Sequence, residues 1–163
     1  MKLKTLLIVA AAAVLFGACV PSSIVPETPK LDVSLPVSGL EEVWVSSDYQ
    51  GKPVLLAVMA TWCPWCKRSL PALDEANKTF AGQVEVVGIF IDEDPALVEQ
   101  VKKEHKMQTK ALYNGHEVAG DLGVQGFPHI MLFDKNHKLV KVWSGYSDTL
   151  ADQYKTEIKK LLK

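Results

Sequence analysis

Apolar residues in this chain fall in short dense runs separated by stretches of helical period. Val54–Met59 is apolar throughout, which predicts a strand buried on both faces, and Val84–Ile91 predicts a second. Between them Leu70, Leu73, Asn77 and Phe80 recur at helical spacing. Asp94 followed by Pro95 predicts the N-cap and first position of another helix, with Leu97, Val98 and Val101 as its apolar face. A short helix is expected near Glu117–Leu122. Ile130–Phe133 and Leu139–Trp143 flank a polar Asp134-Lys135-Asn136-His137 turn, a hairpin signal. Leu150, Tyr154, Ile158 and Leu161 mark a closing amphipathic helix. Val43-Trp44-Val45 reads as a short first strand, and Asp48–Pro53 as a loop broken by Gly51 and Pro53. Crossovers come first and a hairpin last. The expected fold class is α/β, a central mixed β-sheet with helices on both faces.

The N-terminus follows a different plan. Lys2 and Lys4 precede an uncharged apolar run, Leu6–Phe16, and then Gly17, Ala18 and Cys19. A positive start, an apolar middle and small residues before a cut describe a signal peptide over residues 1–18. The run is shorter than the about 20 residues a spanning helix needs. Gly17-Ala18-Cys19 resembles the lipobox of bacterial lipoproteins, in which the cysteine becomes the first residue and carries lipid. Phe16 stands where that motif usually has Leu, and Leu15 lies one step earlier. Lipidation of Cys19 is expected; ordinary cleavage nearby would leave a free thiol prone to oxidation. Residues 19–38 carry Pro21, Pro26, Pro29 and Pro36 among serines and are read as an extended tether. The domain is then expected over residues 39–163.

Composition narrows the function. The 163 residues are 48% hydrophobic and 23% charged, too apolar for a disordered chain. With 18 basic against 19 acidic residues the net charge is -1, which disfavours a nucleic-acid surface. Three cysteines exclude a four-cysteine zinc site, and His105, His116, His129 and His137 lack paired ligand spacing, so no metal or organic cofactor is expected.

The candidate chemistry lies at Trp62-Cys63-Pro64-Trp65-Cys66, where a buried strand gives way to a helix. A cysteine at a helix N-terminus faces unpaired N–H groups and the positive end of the dipole, which favour the reactive thiolate. Two intervening residues bring the second sulfur one turn on, within disulfide reach. Lys67 and Arg68 add positive charge nearby. The plainer alternative, a structural disulfide, would close too short a loop to constrain the unfolded chain much. A redox pair is preferred. Cys63 is the expected nucleophile and Cys66 the buried resolving thiol.

These residues resemble the thioredoxin superfamily, and Ala60-Thr61-Trp62-Cys63 behind a signal peptide is similar to its exported TlpA-like branch. Pro71 lies where thioredoxins have a helix-kinking proline. Asp48–Pro53 resembles the loop before the active-site strand, and Gly145 falls near the family's late glycine. Gly123-Val124-Gln125-Gly126-Phe127-Pro128 resembles the loop holding the family's cis-proline. Most prolines are trans; the resemblance implies a cis Phe127–Pro128 bond that turns the Phe127 backbone toward the cysteines, where a client strand can pair with it. Trp62, Pro64 and Trp65, with Phe127 and Pro128, are expected to bind substrate as an apolar rim; ordinary core aromatics are the plain alternative.

The chain also departs from its relatives. The buried Asp of thioredoxin aligns with Ala57, its companion Lys with Gly88, and a Glu of some reductive relatives with Ser69. The resemblance implies an envelope thiol–disulfide oxidoreductase that reduces disulfides in exported proteins, with a membrane electron donor or acceptor, a lipid tether on Cys19 and a monomeric state. Two alternatives stand at this point. One is a DsbA-like oxidant, since Pro64 in the dipeptide is shared with such enzymes. The other is a non-enzymatic copper- or peptide-binding module.

Overall fold

The computed structural model describes residues 29–163. The expected signal peptide and Cys19 lie outside the described residues. Five strands form the central sheet: β3 (Val54–Met59), β4 (Glu85–Phe90), β5 (Lys110–Leu112), β6 (His129–Phe133) and β7 (Leu139–Ser144). They lie in the order β5-β4-β3-β6-β7. β3, β4 and β5 run parallel, joined by the crossover helices α1 (Pro64–Thr79) and α2 (Pro95–His105). β6 pairs antiparallel with β3, and β7 with β6, which closes the expected hairpin. A short helix α3 (His116–Asp121) precedes β6, and α4 (Leu150–Leu161) ends the chain.

The alternation of side chains along each strand divides the interior into two cores. One face presents Leu55, Ala57, Met59, Ile130 and Leu132 to α1, α2 and α4, and holds both cysteines. The opposite face presents Leu56, Val58, Val87, Ile89 and Met131 to α3 and to the N-terminal segment. Burial on both faces explains why β3 is an unbroken apolar run.

The expected boundary at residue 38 is corrected. Leu31, Val33, Leu35 and Val37 are buried in the second core. Within this segment β1 (Ser34–Pro36) pairs antiparallel with β2 (Val43–Val45). Ser46 Oγ accepts from Val33 N at 3.0 Å and donates to Leu31 O at 3.3 Å. Ser38 N donates to Ala111 O, and Val37 bridges Leu112, so the segment covers the β5 edge. Residues 31–38 therefore belong to the domain and not to a tether. Their apolar and polar residues alternate strictly, the strand period, although Pro36 within the segment and Pro29 just before it make it look like a linker.

Three smaller differences have physical causes. β5 is too short for a pattern of its own and is held by its neighbours. Leu97 is exposed, whereas Val98 and Val101 are buried, since consecutive helical residues face directions about 100° apart. His137, expected in a polar turn, is buried with φ 59; its Nδ1 pairs with Gln50 Nε2 at 3.0 Å and its Nε2 with Tyr49 O at 3.3 Å.

Candidate active site

β3 ends at Met59, and Ala60-Thr61-Trp62 turns the chain into α1. Cys63 is the N-cap: its N–H donates to Ala60 O at 3.1 Å, and its sulfur accepts from Cys66 N at 3.2 Å. Pro64 occupies the first helical position, where a missing N–H costs nothing. Both thiols are free, and both residues are buried, Cys63 at 4% and Cys66 at 1% exposure. Exposure alone does not separate them, but their surroundings differ. Cys63 Sγ lies 3.8 Å from Phe127 O, at the margin of a surface groove. Cys66 sits deeper, one turn along the helix.

The Phe127–Pro128 peptide bond is cis, as the resemblance implied. The groove beside it, about 490 Å³, is lined by Gly126, Phe127, His129, Ser144 and Gly145 among others. His129 Nδ1 pairs with Ser144 Oγ at 3.3 Å, and burial lowers its pKa below the usual imidazole value. Two aromatic walls flank Cys63. Trp62 is 66% exposed and meets Phe127 edge-on at 6.1 Å. Trp65 is 52% exposed and stacks on Tyr146 at 5.8 Å, with the Arg68 guanidinium 4.9 Å from the centre of its ring. Exposed indoles beside the cysteine pair are unlike the core aromatics Trp44 and Trp143, which are buried. Tyr146 carried no sequence signal of its own, because only the fold lays its loop against α1.

Burial pushes the Cys66 thiol far above the ordinary thiol range, hydrogen bonding with Cys63 adds to the rise, and the Ala60 N–H partly offsets it. Ala57 is fully buried in the same core, opposite Gly88 in β4. A Cβ at Gly88 would stand 2.8 Å from the Met59 methyl and 3.1 Å from that of Met107. Methionine ends thus fill the room beside Gly88, where thioredoxins are expected to keep a lysine. Ser69 is buried, and its hydroxyl is spent on Cys66 O at 2.7 Å.

Asp92 escaped the sequence reading. It stands just past the C-terminal end of β4, where parallel strands gather their functional loops. Its carboxylate accepts from Thr61 N at 2.8 Å and from Thr61 Oγ1 at 2.6 Å.

A family model described as Redoxin matches residues 20–158. The chain belongs to the Redoxin family. Within the thioredoxin superfamily this member is TlpA-like. It is 38% identical over 89 residues to the "Thiol:disulfide interchange protein DsbE" of Escherichia coli, a match covering 53% of this chain and 46% of that one. This Redoxin-family chain thus aligns with about half the length of that relative. A Chlorobium tepidum crystal structure, assigned as a thiol:disulfide interchange protein DsbE, superposes with a TM-score of 0.74 at 22% identity, over 81% of this chain and 94% of that one. The exposed lipoprotein thioredoxin of Streptococcus pneumoniae superposes with a TM-score of 0.69 at 26% identity, over 80% of this chain and 99% of that one. The fold is thioredoxin-like, and the match beginning at residue 20 agrees with a domain that starts before residue 39.

Proposed function

We propose that this Redoxin-family protein is a thiol–disulfide oxidoreductase of the cell envelope that reduces disulfides in exported proteins. The observation that carries the reading is the pair of free thiols at the α1 N-terminus, with the outer sulfur 3.8 Å from the carbonyl before a cis-proline. The Cys63 thiolate attacks one sulfur of a client disulfide. The client bond breaks, its other sulfur leaves and takes up a proton, and a mixed disulfide to Cys63 forms. Cys66 then loses its proton and attacks Cys63 Sγ. The second client sulfur leaves as a thiol and the Cys63–Cys66 disulfide forms. Two electrons pass to the client, and a membrane electron donor must restore the dithiol.

Trp62, Pro64, Trp65, Phe127 and Pro128 are the proposed client surface, with Tyr146 as an added wall. An extended client strand pairs with the Phe127 backbone and rests apolar side chains on the two aromatic walls. Reduction is preferred over oxidation on the resemblance to the exported TlpA-like branch, which implies a reducer of disulfides in exported proteins. Export rests on the residue 1–18 pattern, and anchoring on Cys19; the pneumococcal neighbour is itself named a lipoprotein thioredoxin. A monomer in solution is part of the same proposal.

The test is the reduction potential against glutathione, together with turnover of an unfolded disulfide protein. A potential near about −270 mV with turnover supports the reading, and one near about −120 mV overturns the direction.

A further inference from the structure

We infer that Asp92 is a positioning residue for client docking, acting through Thr61 on Trp62 and Cys63. Thr61 stands directly before Trp62 and is nearly buried, at 9% exposure. Both of its polar hydrogens end on one carboxylate, the N–H on Oδ2 and the hydroxyl on Oδ1. Both bonds are charge-assisted, the stronger class. Asp92 is itself fixed from two sides. The preceding Ile91 N–H donates to Met59 O at 3.0 Å, and Asp92 O accepts from Asn114 N at 2.7 Å. The loops after β3, β4 and β5 are thereby joined at one residue.

The consequence falls on Trp62. Its indole is two-thirds exposed and meets the Phe127 ring by an edge. Packing alone holds such a ring weakly, so the direction of its side chain is set by the backbone that carries it. That backbone is pinned on one side by Cys63 N donating to Ala60 O and on the other by Thr61 on Asp92. Releasing Thr61 lets the turn pivot and takes the Trp62 wall away from the groove, while Cys63 keeps its place on α1. The expected effect is on client affinity more than on the chemical step. This rests on the proposed reductase reading.

The test compares Asp92→Asn, Thr61→Val, Thr61→Ser and the Thr61→Val/Asp92→Asn double variant. Asn keeps one acceptor but turns an amide donor toward a donor. Val deletes the hydroxyl at nearly constant shape, and Ser keeps both bonds. Two readouts are taken beside thermal melting: the nuclear Overhauser contact between the Trp62 and Phe127 rings, and kcat and KM for an unfolded disulfide protein. Asp92→Asn and Thr61→Val should lose the ring contact and raise KM by about ten-fold, or about 1.4 kcal/mol, with kcat within about two-fold. Thr61→Ser should match wild type, and the double variant should be no worse than Asp92→Asn. A lower melting temperature with unchanged KM, a retained ring contact, or effects that multiply in the double variant would each overturn the inference. Should Asp92→Asn fail to fold, Thr61→Val decides it. A wild-type protein that reduces no client removes the proposed function, and the ring contact then decides the strut by itself.

Discussion

Release of client from the mixed disulfide should accelerate steeply with pH. At that stage Cys63 is already bonded to the client, so Cys66 is the thiol that must ionise. In the dithiol, burial and then hydrogen bonding with Cys63 raise the Cys66 thiol. The second cause weakens in the mixed disulfide, but the burial remains, in a core of Leu70, Leu73, Ala57 and Met59. Below its pKa a thiol gains ten-fold in thiolate per pH unit, so the rate should rise by about a thousand-fold between pH 6 and pH 9, a slope near one. The mixed disulfide can be formed at acid pH, where it persists, and then jumped to the test pH. Acid quenching and mass spectrometry count the released client. Ala57→Asp should place a carboxylate in the same core and speed release at pH 7 by at least about ten-fold, within the usual reach of a general base. Its folding is checked by melting, because a buried acid is costly. A rate flat from pH 7 to pH 9 and unchanged by Ala57→Asp would refute the reasoning, since it would require a proton acceptor already in place.

The same thiol links stability to pH. Its folded-state pKa lies above the unfolded value of about 8.5, so its contribution is complete below that pH; above it, reduced protein should lose about 1.4 kcal/mol per unit, and the disulfide form should not, as paired denaturant titrations would reveal. Cys66→Ser should accumulate mixed disulfides with clients on non-reducing gels while Cys63→Ser accumulates few; equal trapping would contradict fixed roles for the two thiols. A chain starting at residue 39 loses the burial of Leu31, Val33, Leu35 and Val37, together about 6–12 kcal/mol, against a total stability of about 5–15 kcal/mol, and should not fold, whereas one starting at residue 29 should; circular dichroism distinguishes them. Tyr154 carries a buried hydroxyl with no partner among the described residues, so Tyr154→Phe should stabilise by about 1–3 kcal/mol, and a lower melting temperature would show that the hydroxyl is satisfied in solution.

What the sequence determined by itself was local. β3 and β4 announce themselves because burial on both faces demands unbroken apolar runs. α2 does so through the Asp94 cap and Pro95, and Asp94 Oδ1 accepts from Ala96 N at 2.9 Å. The cysteine pair was legible because strand, two-residue spacing and helix are contiguous in the chain. The tertiary structure decided whatever depends on residues far apart. The segment 31–38 becomes a strand region only when it finds β2 and the β5 edge, and Leu35 then packs where a linker would lie exposed. The walls of the site join Trp62 to Phe127 and Trp65 to Tyr146 across long loops. Asp92 reaches Thr61 across 31 positions, because neighbouring parallel strands end side by side. A carboxylate after a strand has no periodicity to betray it. Its role follows from which backbone donor the folded sheet sets in front of it.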